Sequence, residues 1–68
     1  MSKLQALGDE LRSALSASGG TVSSIWMHQL ARATDGPEEL EQLLDIGRAW
    51  RREHGLEADG FVVGPVVE

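Results

Sequence analysis

The chain has 68 residues, enough for one small domain, and chains of this size bury only about 60% of the surface that their unfolded form exposes. Its eleven acidic and six basic residues give a formal net charge of −5, which repels nucleic acid and anionic lipid at long range. Cysteine is absent, which excludes disulfides and Cys-based zinc sites. Without a secretion-signal layout or an apolar run of ~20 residues, the sequence predicts a soluble cytoplasmic protein that does not enter membranes.

The first predicted element is a helix from about Ser2 to Ala17. Ser2 and Gln5 have the spacing of a capping box, in which the serine hydroxyl accepts a hydrogen bond from a free backbone N–H group. Apolar residues then recur at helical spacing along one face: Leu4, Leu7, Leu11, Ala14 and Leu15. The run Ser18-Gly19-Gly20 ends the helix, because two consecutive glycines make its continuation entropically costly.

Two interpretations fit residues 21–33. A helical stripe is formed by Val22, Ile25, Trp26, Leu30 and Ala33. The pairs Thr21-Val22 and Ile25-Trp26 also suit a strand. We favour a helix, because period-two alternation fails here and either Ser23 or Ser24 can cap a helix that begins at this point. A short central strand or hairpin, which would make the fold α+β, is the alternative.

The third predicted helix runs from about Pro37 to His54. Pro37 suits a first helical position, and Glu38 and Glu39 place negative charge at the positive end of the helix dipole. Gly55 offers a left-handed cap at the other end. The short turn before this helix is typical of an antiparallel hairpin with the second helix.

Gly47 interrupts the apolar face of the third helix. This face is formed by Leu40, Leu43, Leu44 and Trp50, with Ile46 at its margin. Glycine inside a helix costs up to ~1 kcal/mol relative to alanine. We therefore expect another helix, or a large ring such as Trp26, to approach Gly47 closely.

The sequence predicts a mainly α fold, a three-helix domain at 1–55 followed by an extended arm at 56–68. Five of the last eight residues are apolar and four are valine, a composition that favours extended backbone. Gly64-Pro65 prevents this segment from forming one long regular strand. We expect the arm to pack either on its own helices or on a neighbouring molecule.

Nothing in the sequence predicts a reaction, a cofactor or a metal site. The chain has no tyrosine and no glycine-rich phosphate loop, and it is too small to enclose a typical pocket of ~300 Å³ or more. His28 and His54 are far apart and lack the spacing of a ligand pair. Neighbouring carboxylates in the third helix are typical of a solvated face. We therefore expect a protein that is not an enzyme.

Protein binding is the function that the sequence favours. A thin core leaves apolar surface for contact, and the acidic face of the third helix would attract a basic partner. The predicted partner-binding residues are Trp26 and Met27 in the second helix, Glu38, Glu41 and Asp45 in the third, and Phe61 and Val63 in the arm. A homodimer is the simplest form of this prediction. Small size and acidity also suit a regulator or inhibitor encoded by a phage or another mobile element.

Two other classes of protein stay open as alternatives. A dimeric helix-turn-helix regulator would need Arg48, Arg51 and Arg52 as its DNA contact surface. The acidic residues in the first half of the third helix would be repelled by phosphates, so nucleic acid is the less favoured partner. A structural or assembly subunit would use the apolar arm to dock into the next subunit.

Overall fold

Three helices and two very short strands make up the protein in a computed structural model that describes residues 2–64. In chain order the elements are α1 (Lys3–Ala17), β1 (Val22–Ser23), α2 (Ser24–Arg32), α3 (Pro37–Glu53) and β2 (Val62–Val63). The predicted mainly α fold is confirmed, and the short strand of its alternative is also present. The last four residues of the predicted arm, 65–68, lie outside the described residues.

Local capping signals set the bounds of α1. The Ser2 hydroxyl accepts a hydrogen bond from the Gln5 N–H group at 3.1 Å, so the capping role predicted for this serine is confirmed. At the other end, Gly19 and Gly20 have φ angles of 75° and 108°, a left-handed backbone that non-glycine residues rarely adopt. The predicted helix end at Ala17 is confirmed.

Residues 21–33 contain both of the structures that their sequence allows. Val22–Ser23 is extended, and α2 begins immediately after it, with the Ser23 hydroxyl accepting a hydrogen bond from the Trp26 N–H group at 3.1 Å. The strand does not form a local hairpin. It pairs in parallel with β2, so that Val22 lies opposite Val62 and Ser23 opposite Val63.

The long helix α3 packs mainly against α1. Lys3 Nζ lies 2.7 Å from Asp35 Oδ1 near the starts of both helices, and Arg51 Nη1 lies 2.9 Å from the Gly20 carbonyl near their ends. The two helices therefore run in the same direction, and Gly8, which is buried in α1, faces α3 directly. The close antiparallel packing of the second and third helices that the turn predicts is not found, because α1 occupies the apolar face of α3.

Leucine side chains from all three helices form most of the core. Its buried members are Leu7, Leu11, Leu15, Val22, Met27, Leu30, Leu43 and Phe61. Leu11, Leu15 and Leu43 are fully shielded from solvent. The arm contributes to this core in cis, through a residue that precedes β2.

Phe61 is the large ring that covers Gly47. It is 4% exposed, and a Cβ atom at Gly47 would lie 2.6 Å from the Cε1 and Cζ atoms of its ring. The expectation of a ring at this glycine is correct, but the ring is Phe61 and not Trp26. The Val22 N–H group donates to the Phe61 carbonyl at 2.7 Å, which fixes the backbone of this residue beside β1. Residues 61–63 therefore pack on the helices of their own chain.

Candidate functional site

Trp26 is half-buried on α2 and separates two open grooves. The larger has a volume of about 420 Å³ and runs past Ala14 and Ala17 of α1 to Val22. The smaller has a volume of about 260 Å³ and runs past Glu10 of α1. Trp26 lines both grooves, so its ring offers apolar surface on either side. We call this tryptophan and the two grooves the Trp26 surface.

The three acidic residues predicted to contact a partner are exposed on α3, but two of them are already paired. Arg48 Nη1 lies 2.6 Å from Asp45 Oδ1 and 3.3 Å from Glu41 Oε2, and its Nε lies 3.8 Å from Asp59 Oδ1. The hydrogen bonds to Asp45 and then to Glu41 raise the pKa of Arg48. Glu38 has no such pair among residues 2–64, which makes it the least neutralised of the three.

Two of the other predicted contact residues lie inside the domain. Met27 is 5% exposed and Phe61 is 4% exposed, so both side chains belong to the core and form no outer surface. Val63, by contrast, is 46% exposed on β2. Helix geometry explains the different environments of Trp26 and Met27, because successive helical residues point about 100° apart.

Ile25 is an exposed apolar residue that was not among the predicted contact residues. It is 60% exposed, the highest value among the large apolar side chains that the structure describes. The predicted apolar stripe of this helix included Ile25 together with Leu30, and the structure corrects that placement. Met27 and Leu30 are three residues apart on the buried side, and Ile25 lies about 200° around the helix from Met27. This places Ile25 on the outer face.

The three arginines of α3 do not form a common basic surface. Arg48 lies among the carboxylates of Glu41, Asp45 and Asp59. Arg51 donates from Nη1 to the Gly20 carbonyl at 2.9 Å and from Nε to the Glu57 carbonyl at 2.7 Å, so it joins two loops. Only Arg52 is left exposed without such contacts in the described part of the chain. A DNA contact surface that needs all three side chains gains no support from this arrangement.

Arg51 is expected to stabilise the domain through these two carbonyl groups. Replacing Arg51 with methionine should lower the free energy of unfolding by about 1–3 kcal/mol, because the partly buried Gly20 carbonyl loses its donor. Urea unfolding followed by circular dichroism measures the change. Arg52→Met is the matched control and should alter stability by no more than about 0.5 kcal/mol. Equal losses at the two positions would contradict this structural role.

His54 completes the end of α3. Its ring stacks on Trp50 with a centroid distance of 3.8 Å and an interplanar angle of 15°, and its Nδ1 lies 2.8 Å from the Trp50 carbonyl.

Within residues 2–64, no three His, Cys, Asp or Glu side chains are grouped so as to hold a metal ion. In the same part of the chain, no helix combines the length and apolar character that a bilayer crossing requires.

Comparison with known proteins found no matching family model, no similar curated protein and no similar solved structure. The Trp26 surface and the acidic residues of α3 are the features from which a function can be argued. One supplies apolar contact and the other supplies charge.

Proposed function

We propose that the protein is a small acidic protein-binding module that makes its main apolar contact through the Trp26 surface. The observation that carries this proposal is the half-buried Trp26 between grooves of about 420 and 260 Å³. Tryptophan is enriched at binding hot spots because one rigid ring buries a large area at little cost in side-chain entropy. An apolar side chain of a partner would fill the larger groove and cover one side of the ring.

A protein with a basic surface is the partner class that we propose. The chain carries a formal net charge of −5, Glu10 lines a groove beside Trp26, and Glu38 is exposed at the start of α3. Opposite charge accelerates association and makes it sensitive to salt. By covering such a basic surface, the module would act as a regulator or inhibitor of its partner. Such a regulator would suit a phage or another mobile element.

Trp26→Ala tests the apolar part of this proposal. Partners are captured from cell extract at low salt and identified, and the purified partner is then titrated against wild-type and variant protein. We expect Trp26→Ala to weaken binding by about 30-fold, the typical effect of losing a hot spot. Ile25→Ala is the matched control, since this neighbouring side chain is 60% exposed but lines neither groove. Circular dichroism checks that each variant remains folded.

Charge variants test the basic character of the partner. Glu38→Lys should slow association with the purified partner, whereas Glu53→Lys, which makes the same change in net charge at the other end of α3, should have a smaller effect. Raising the salt concentration should reduce the difference. Recovery of acidic partners only, or binding that is indifferent to Trp26, would contradict the proposal.

Self-association is the second part of the proposal. The Trp26 surface of one molecule would cover that of a second copy, as in the symmetric interface of a homodimer. Light scattering over a range of protein concentrations measures the mass of wild type and Trp26→Ala. A dimer that dissociates in the variant supports this part. If the wild-type protein is a monomer at every concentration, self-association is refuted. The capture experiment then decides whether the protein binds a different partner.

A further inference from the structure

The larger groove of the Trp26 surface follows one edge of β1. It is lined by Thr21 and by both residues of the strand, Val22 and Ser23. Successive residues of a strand point to opposite faces, so a groove lined by all three lies along the edge and not on one face. The other edge of β1 is paired with β2, and none of residues 61–64 lines the groove. The groove is therefore open where a third strand can join the sheet.

The hydrogen bonds of this segment show which backbone groups face the groove. The Val22 N–H group donates to the Phe61 carbonyl, so the backbone of Val22 faces β2. The backbone groups of Thr21 and Ser23 then face the opposite edge. The Ser18 hydroxyl, which lines the groove, donates to the Thr21 carbonyl, in agreement with this direction. Among residues 2–64 the Ser23 N–H group has no acceptor, so it is available to a bound segment.

The walls of the groove suit an extended segment with one apolar side chain. Ala14 and Ala17 of α1 line it together with Trp26, and the two alanines are small enough to let another chain approach. Strand addition of this kind derives affinity from main-chain hydrogen bonds and specificity from the pockets that receive alternate side chains. The indole ring and the alanine methyls form such a pocket.

Charge identifies the kind of segment that fits. Glu10 lines the smaller groove on the other side of Trp26, and no cation lies within 4 Å of its carboxylate among residues 2–64. No lysine or arginine lines either groove. Glu10 and Ala14 are one helical turn apart, about 6 Å along α1, so a long basic side chain of a segment bound beside Ala14 can reach Glu10.

We propose that the partner binds as an extended segment that adds a strand at the free edge of β1. A backbone carbonyl of the segment accepts a hydrogen bond from the Ser23 N–H group. One apolar side chain enters the larger groove against Trp26, and a lysine or arginine pairs with Glu10. The inference rests on the proposed function, because it names the part of a basic partner that contacts the Trp26 surface.

A library of random ten-residue peptides, selected on the full chain at low salt, supplies the probe. We expect the selected peptides to combine an apolar residue with a lysine or arginine. One of them is synthesised and titrated against wild-type protein and variants by fluorescence anisotropy. Trp26→Ala should weaken its binding about 10-fold or more. If no peptide is selected, the inference is overturned, while the capture of whole partners still decides the proposed function.

A proline substitution tests the backbone hydrogen bond. Ser23 has a φ angle of −72°, which proline adopts, and the preceding Val22 is extended, as a residue before proline must be. Ser23→Pro therefore removes the free N–H group without changing the backbone. Ser23→Ala is the matched control, because it also loses the capping hydroxyl but keeps the N–H group. We expect Ser23→Pro to bind the peptide about 10-fold more weakly than Ser23→Ala, with circular dichroism confirming that both are folded.

Nuclear magnetic resonance of the wild-type protein gives a second measurement that needs no variant. On addition of the peptide, the Ser23 amide proton should move to lower field and exchange more slowly with solvent. The Val22 amide, which already donates to the Phe61 carbonyl, should change little. An unchanged Ser23 amide, or equal affinities of Ser23→Pro and Ser23→Ala, would overturn strand addition. If Trp26→Ala still weakened binding in that case, the proposed function would stand without it.

A charge exchange tests the basic side chain of the segment. Glu10→Lys should weaken binding of the selected peptide about 5-fold, and replacing the basic residue of the peptide with glutamate should restore affinity for this variant. Glu53→Lys, at the end of α3, makes the same change in net charge and should have a smaller effect. Selected peptides without a basic residue, or binding indifferent to Glu10→Lys, would overturn this pairing. A dimer that Ser23→Pro dissociates, with no peptide selected, would assign the edge to a second copy instead.

Discussion

Replacing Phe61 with alanine is expected to lower the free energy of unfolding by about 3–5 kcal/mol. The ring is 4% exposed and packs directly on Gly47, so its removal leaves a cavity between α3 and the arm. A domain of this size has a total stability of about 3–10 kcal/mol, so the loss is a large fraction of the whole. Urea and thermal unfolding followed by helical circular dichroism measure the effect.

Val63→Ala is the matched control for this variant. Val63 lies two residues further along the same arm, in the paired strand, but its side chain is 46% exposed. We expect this change to cost less than about 1 kcal/mol. If Phe61→Ala and Val63→Ala have the same melting temperature, the arm does not contribute to the core through Phe61.

The helix bounds could be predicted because their signals are local. Ser2 caps α1 through a residue three positions away, and Pro37 begins α3 with a backbone conformation that its own ring imposes. Either Ser23 or Ser24 was expected to cap α2, and Ser23 holds that position. Each of these features depends on a few neighbouring residues, so the rest of the fold is not needed to recognise it.

The parallel strand pair could not be predicted in the same way. Val22 and Val62 are far apart in the sequence, and a two-residue strand carries almost no alternation of its own. The partner of Gly47 depends on the same pairing. The glycine indicates that a bulky group approaches, but only the position of β2 beside β1 determines that this group is the ring of Phe61.

The candidate site could be predicted only in part, and the reason is related. Trp26 and Met27 are adjacent and both suit an interface, but the orientation of α2 buries Met27 and leaves Trp26 half-exposed. In α3, the sequence indicates an arginine cluster. Arg48 pairs with Asp45 inside the same helix, whereas the carbonyl contacts of Arg51 depend on loops that the cluster itself does not specify.

Replacing Gly47 with alanine is expected to destabilise the protein, although alanine is the better helix former. The gain in helix propensity is about 1 kcal/mol. The new Cβ atom would lie 2.6 Å from two atoms of the Phe61 ring, and a buried ring between packed helices has little room to move. Overpacking of this kind costs about 1–3 kcal/mol, so we expect a net loss of up to about 2 kcal/mol, measured by urea unfolding.

Gly8 provides the matched control, because it too lies inside a helix and is buried. A Cβ atom there would lie 2.8 Å from Ile46 Cδ1, the end of a flexible side chain that can change rotamer, so Gly8→Ala should be neutral or stabilising. A double-mutant cycle with Phe61→Leu isolates the contact. In that background Gly47→Ala should cost about 1 kcal/mol less, because leucine can adjust where the ring cannot. An equal cost in both backgrounds would show that Phe61 is not what requires glycine at this position.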